Sequence, residues 1–143
     1  MIIVDFQQVY LVNFIKDNIF WICVALYCIG ALVWPYVRRG AKISHAEATK
    51  MINKGKTTII DILDAKQYQA GHILNAVHVP LSGLEERLPK LDKFKGQTII
   101  VVDESGKDAG KGASILKKAG FKPVNSLQGG MDKWISEGLP VTK

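Results

Sequence analysis

The sequence predicts an α/β domain built on a mainly parallel sheet flanked by helices, preceded by one transmembrane helix. Three observations predict this. No charged residue occurs from Asn18 to Val37. Beyond that stretch, short apolar runs rich in β-branched residues alternate with segments of helical periodicity, the pattern of a parallel sheet with crossover helices. Gly, Pro, Asp and Ser close almost every run, as turn residues do.

The uncharged positions 18–37 would span about 30 Å as a helix, the thickness of a bilayer core. Trp21 lies near one end, and Trp34 and Tyr36 near the other, as interfacial aromatics do. A buried core helix would keep a polar face, and this stretch has none. Arg38, Arg39 and Lys42 follow the span, whereas Lys16 is outnumbered by Asp5 and Asp17 before it. The positive-inside rule then places the N-terminus outside and the C-terminal domain in the cytoplasm. A cleaved signal peptide fits poorly, because no basic segment opens the chain and Trp34-Pro35-Tyr36 is a poor cleavage site. Residues 1–17 mix apolar and polar side chains; they either lie in the interface or extend the span. Pro35 and Gly40 are expected to end the span and open a linker over 38–42, with the domain running from 43 to 143.

Within the domain, Ser44 and Glu47 form a capping box that starts a helix reaching Lys54, with Gly55 as its stop. Thr57–Leu63 reads as a strand. Asp64–Ala70 is a short helix ended by Gly71, and Ala76–Val79 a second strand closed by Pro80. Leu81, Leu84, Leu88 and Leu91 fall at near-helical spacing over Ser82–Leu91. Strand 98–102, helix 109–119, strand Pro123–Leu127 and helix Met131–Glu137 complete the alternation, with Gly129-Gly130 turning into the last helix. The run Ile99–Val102 reads as a central strand buried on both faces. The loop it feeds, 103–108, opens a helix. Backbone N–H groups and the helix dipole converge there, which makes a natural anion cradle. Asp103 holds its first position.

Composition narrows the function classes. The net charge is +6, and all but one of the 19 Lys and Arg lie from residue 38 onward. A basic domain next to a span is attracted to an anionic membrane face. The lysines are scattered and no aromatic–basic recognition motif appears, so no nucleic-acid role is expected. Cys23 and Cys28 lie inside the span, and residues 38–143 contain no cysteine. The domain therefore has no disulfide, thiolate metal site or thiol nucleophile. No His pair has metal-ligand spacing, and neither metal nor cofactor is expected.

The ordered set Ile59-Ile-Asp-Ile-Leu-Asp64, Tyr68-Gln-Ala-Gly-His-Ile73, Ala76-Val-His-Val-Pro-Leu81, Leu84-Glu-Glu-Arg-Leu88, Gly120-Phe121, Leu127-Gln-Gly-Gly130, Trp134 and Gly138-Leu-Pro-Val141 resembles a rhodanese-like domain over Ile43–Lys143. With its N-terminal span, the chain is similar to bacterial membrane-anchored rhodaneses, which implies the bacterial cytoplasmic (inner) membrane. The resemblance implies sulfur transfer through a persulfide on a loop cysteine, helped by a loop arginine. Aligned on Ser105-Gly106, those positions fall on Asp103 and Asp108, with Glu104, Ser105, Gly106 and Lys107 between them. The family's Asp-Val-Arg is Asp61-Ile62-Leu63 here. No catalytic residue is therefore expected.

Each singled-out residue also has a structural expectation. Asp103 should fill its own cradle by accepting loop N–H bonds. Asp108 should cap the following helix. Asp61, Gly71, His72, Gly129, Gly130 and Trp134 match framework positions of the family. His78 is expected in the framework, His45 on the surface and Trp134 in the core. The resulting reading is a membrane-tethered protein-interaction or small-anion-binding module without sulfurtransferase activity. Its partners would be the bilayer, through 18–37, and other membrane proteins. One alternative is sulfur chemistry on a partner's thiol. Another is phosphoryl transfer to Asp103, with Asp61 and Asp64 helping to hold Mg²⁺.

Overall fold

A computed structural model describes the backbone of residues 2–38 and 40–143, with the side chains of 6–34, 37 and 40–143. Arg39 and the side chains of Tyr36 and Arg38, which carry part of the orientation argument, lie outside the described residues. The chain divides into two compact units, residues 1–37 and 38–143.

The first unit is a single helix, α1 (Ile2–Arg38). It contains a 29-residue stretch, Phe6–Trp34, long and apolar enough to cross a membrane. The helix is continuous from Ile2, so residues 2–17 extend it. It also runs through Pro35, which was expected to end it. A proline removes one backbone hydrogen bond, and a long apolar helix tolerates that near its end.

The second unit is a five-stranded sheet in the order β1-β5-β4-β2-β3, parallel at every pairing. Its strands are β1 (Ala41–Ile43), β2 (Thr57–Asp61), β3 (Val77–His78), β4 (Thr98–Val102) and β5 (Val124–Leu127). Its helices are α2 (His45–Asn53), α3 (Ala65–Ala70), α4 (Leu84–Leu91), α5 (Ala109–Lys118) and α6 (Gly130–Ser136). Ala41 and Lys42, expected in a linker, instead pair with Asn125 and Ser126. Three residues carry too little periodicity to announce a strand; the pairing edge of β5 makes one.

Alternating strand residues supply two cores. On one face Ile60, Ile99, Val101 and Val124 meet Leu84 and Leu91 of α4 and Ala109, Ala113 and Leu116 of α5. On the other Ile43, Ile59, Ile100, Val102 and Leu127 meet Ala48 of α2 and Met131 and Trp134 of α6. The central strand β4 is buried on both faces, as its unbroken apolar run requires. The capping box forms as expected: the Glu47 carboxylate accepts the Ser44 N–H at 3.0 Å and the Ser44 hydroxyl accepts the Glu47 N–H at 3.3 Å. The Ser44 N–H, and the Ser44 hydroxyl donating to the same carboxylate oxygen at 3.0 Å, hold the Glu47 carboxyl below its ordinary pKa.

His45 is not a surface residue. The cap turns the first residue of α2 inward, where it is 4% exposed. Its Nδ1 lies 2.8 Å from a Glu137 carboxylate oxygen and its ring meets Trp134 edge-on at 5.6 Å. Trp134 is buried as expected, and its indole N–H donates to the Pro140 carbonyl at 3.0 Å.

Candidate active site

Strand β4 delivers Asp103 to the carboxyl edge of the sheet, 5% exposed. Its two carboxylate oxygens accept the N–H groups of Gly106 (2.9 Å) and Asp108 (2.8 Å). The side chain fills the cradle that its own loop forms, as expected from the sequence. A carboxylate accepting such bonds satisfies donors that the start of a helix would otherwise leave open.

The loop is clamped from behind by the start of α6. Met131 N–H donates to the Asp103 carbonyl at 2.8 Å, and Asp132 N–H to the Glu104 carbonyl at 2.9 Å. That approach requires glycine. Gly130 adopts φ +56°, and a Cβ there would run into the carbonyls of Asp103 and Glu104. Gly106 adopts φ +80°, and a Cβ there would sit 2.6 Å from the Gly129 nitrogen. The Gly129-Gly130 pair is thus the back wall of the loop.

Asp108 departs from expectation. It occupies the N-cap position of α5, but its side chain caps nothing. Its backbone is helical (φ −94°, ψ −18°), whereas a capping side chain needs the extended region. The carboxylate binds the Lys111 ammonium at 2.7 Å instead. In front of the loop lies a cleft of about 290 Å³ whose lining includes Asp64, Asp103, Glu104 and Asp108 and contains no Lys, Arg or His. Gly71, expected as a helix stop, is the C-cap of α3.

A second buried aspartate ends the neighbouring strand. Asp61, paired in register with Val102, is fully buried. One carboxylate oxygen accepts the Leu63 N–H at 2.9 Å; the other has no partner among the described residues. Burial pushes its carboxyl above the ordinary aspartate pKa. The Leu63 N–H, His78 and His72 oppose that rise, and Asp103 adds to it. Beside it Tyr68 is sandwiched between the rings of His72 (3.7 Å) and His78 (4.2 Å). His72 Nδ1 lies 2.9 Å from the Tyr68 carbonyl and His78 Nε2 lies 2.8 Å from the Leu63 carbonyl, so each ring has a backbone partner. His72 also exchanges backbone hydrogen bonds with Thr142. Sequence reasoning missed this stack; the Tyr68–His72 spacing of one helical turn hinted at half of it. Among the described residues, no group of three or more His, Cys, Asp or Glu is gathered so that it could hold a metal ion, so Asp61, Asp64 and Asp103 do not form the ligand set that the phosphoryl-transfer alternative needs.

A parallel sheet in this strand order, with a helix-opening loop at the end of its central strand, defines a rhodanese-like domain. The chain belongs to that family, whose model matches residues 44–137. It is similar to YibN of Escherichia coli K12, 29% identical over 127 residues that cover 88% of this chain and 89% of YibN. The thiosulfate sulfurtransferase GlpE of Coxiella burnetii is 37% identical over 93 residues, 65% of this chain and 85% of GlpE. Among solved structures, a full-length protein from Lactobacillus plantarum superposes with a TM-score of 0.62 at 29% identity, covering 79% of this chain and 94% of that one. The domain is thus related to sulfurtransferases.

Proposed function

We propose that the protein is a membrane-anchored rhodanese-like domain that performs no sulfur transfer of its own and serves as a protein-interaction module at the cytoplasmic face of the bacterial inner membrane. One observation carries this reading. The position that the family resemblance gives to the persulfide cysteine holds Asp103, whose two oxygens take the loop's own N–H groups. A carboxylate cannot form a persulfide, and this one occupies the cradle that would hold a substrate anion. The cleft in front adds Asp64, Glu104 and Asp108. Carboxylates this close repel thiosulfate, a dianion, and favour a cationic group such as a partner's Lys or Arg side chain. The small-anion alternative therefore loses support at this cleft, while the protein-interaction alternative gains it.

The direct test is thiocyanate formation from thiosulfate and cyanide by the full chain in non-ionic detergent. No turnover above buffer is expected; reproducible turnover would overturn the proposal. Asp103→Cys alone should restore little, because Asp108 still repels thiolate and thiosulfate. Asp103→Cys with Asp108→Arg should do better. Anchoring and orientation rest on the apolar stretch 6–34 and the basic residues after it. A reporter fused after Lys143 should be active if it requires the cytoplasm and silent if it requires export.

A further inference from the structure

Behind the same loop lies a second cleft, of about 260 Å³, with the opposite character. Lys42 of β1, Lys107 of the loop and Lys111 of α5 line it, and no acidic side chain does. Gly106, Gly110 and Ser126 complete its polar wall. Gly110 lies in the first turn of α5; the Lys111 N–H there donates to the Asp108 carbonyl at 2.8 Å, whereas the Gly110 N–H has no acceptor among the described residues, and the dipole favours an anion. Ser126 is the independent observation. It is 2% exposed, it lines the cleft, and its hydroxyl has no hydrogen-bond partner among the described residues. Buried hydroxyls are nearly always paired, so this one calls for an acceptor.

The sheet explains why the space exists. Ser126 shares the face of Val124, which packs in the core beneath α5. Lys42 is its register partner on the edge strand, and Lys42 is exposed. An acceptor rich in oxygen and negatively charged satisfies the Ser126 hydroxyl and the lysines together.

We propose that this cleft binds a phosphate group, held by the Ser126 hydroxyl, the first turn of α5 and the ammonium groups of Lys42 and Lys107. Lys111 contributes less, because its ammonium already meets Asp108 at 2.7 Å. The site is separate from the acidic cleft and does not depend on whether the chain transfers sulfur. Seven residues of chain separate Lys42 from Trp34, the end of the apolar stretch. The phosphate therefore has two available sources, a lipid headgroup or a free phosphate compound.

The test is titration of the full chain, in non-ionic detergent, with inorganic phosphate, followed by amide chemical shifts. Saturable changes confined to Gly106, Gly110, Lys111, Ser126 and their neighbours are expected. Ser126→Ala should weaken binding about tenfold, the loss of one hydrogen bond to a charged group. Lys42→Gln, at an exposed position, should weaken it severalfold and decides the matter if Ser126→Ala fails to fold. Absence of saturation, shifts spread evenly over the surface lysines, or unchanged binding in the folded variants would overturn the site. Repeating the titration in phosphatidylcholine and phosphatidylglycerol nanodiscs identifies the source. A lipid ligand abolishes the phosphate response in phosphatidylglycerol alone, and a free phosphate ligand gives the same response in both.

Discussion

Two aspartates end adjacent strands of the same sheet, and their environments differ. Asp103 gives both oxygens to loop N–H groups. Asp61 gives one to Leu63 and leaves the other unpaired in the interior. Both are nearly inaccessible to water. The difference lies in the segment that leaves each strand. After β4 the chain wraps back over its own aspartate and opens a ten-residue helix, so free N–H groups are abundant. After β2 it leads through Ile62 and Leu63, both buried apolar residues, and supplies one donor. A buried carboxylate is stabilising or costly according to the donors its loop brings, not according to its burial.

Removing Asp103 should therefore produce the largest effect. Asp103→Ala strips a charged acceptor from two N–H groups. The expected loss is about 2–4 kcal/mol, since charged hydrogen bonds contribute roughly 1.5–3 kcal/mol each and water recovers part. The fall in melting temperature should be on the order of 10 °C or more. An unchanged melting temperature would mean that water substitutes fully for the carboxylate, and the contrast with Asp61 would collapse.

Isosteric amides sharpen the contrast. Asp103→Asn keeps one acceptor but turns an NH₂ toward a backbone N–H, for an expected loss of about 1–3 kcal/mol. Asp61→Asn keeps the acceptor for Leu63 and removes a charge that burial opposes, so it should cost no more than about 1 kcal/mol at neutral pH. Chemical denaturation of the two variants measures the difference. Equal losses would show that the unpaired oxygen of Asp61 has a partner in solution.

Much of this arrangement was legible in the sequence, and the exceptions have physical causes. The run Ile99–Val102 and the helix opened at Ala109 place Asp103 in an anion cradle by local rules alone. The capping box at Ser44 and Glu47 is equally local. The failures are long-range or depend on backbone angles. Asp108 looks like a cap until its helical φ and ψ are known. His45 looks exposed until Glu137, 92 residues away in sequence, is found beside it. Ser126 carries no motif; its inward direction comes from the register of β5, which a four-residue strand does not declare. The Gly129-Gly130 pair was legible as a turn, but the loop carbonyls it admits belong to a segment some 25 residues earlier.

The smallest effect, and the most specific to the comparison, is the dependence on pH. Asp61 has a folded-state pKa above its unfolded value, near 3.8, chiefly because burial disfavours its charged form. Between those values the folded protein binds more protons than the unfolded one, so stability falls as pH rises through that window. The contribution of protonated Asp61 is complete below the unfolded value and lost above the folded one. Asp61→Asn cannot titrate. Urea midpoints of wild type and variant, measured from about pH 4 to pH 7, should therefore shift in the variant's favour as pH rises. Parallel curves would mean that Asp61 does not titrate abnormally. The same series in an Asp103→Asn background tests whether the two strand ends communicate. Asp103 is among the causes that raise the Asp61 pKa, and the last in size, so its neutralisation should narrow the window slightly from above. A wider window would reverse the assigned sign of that interaction.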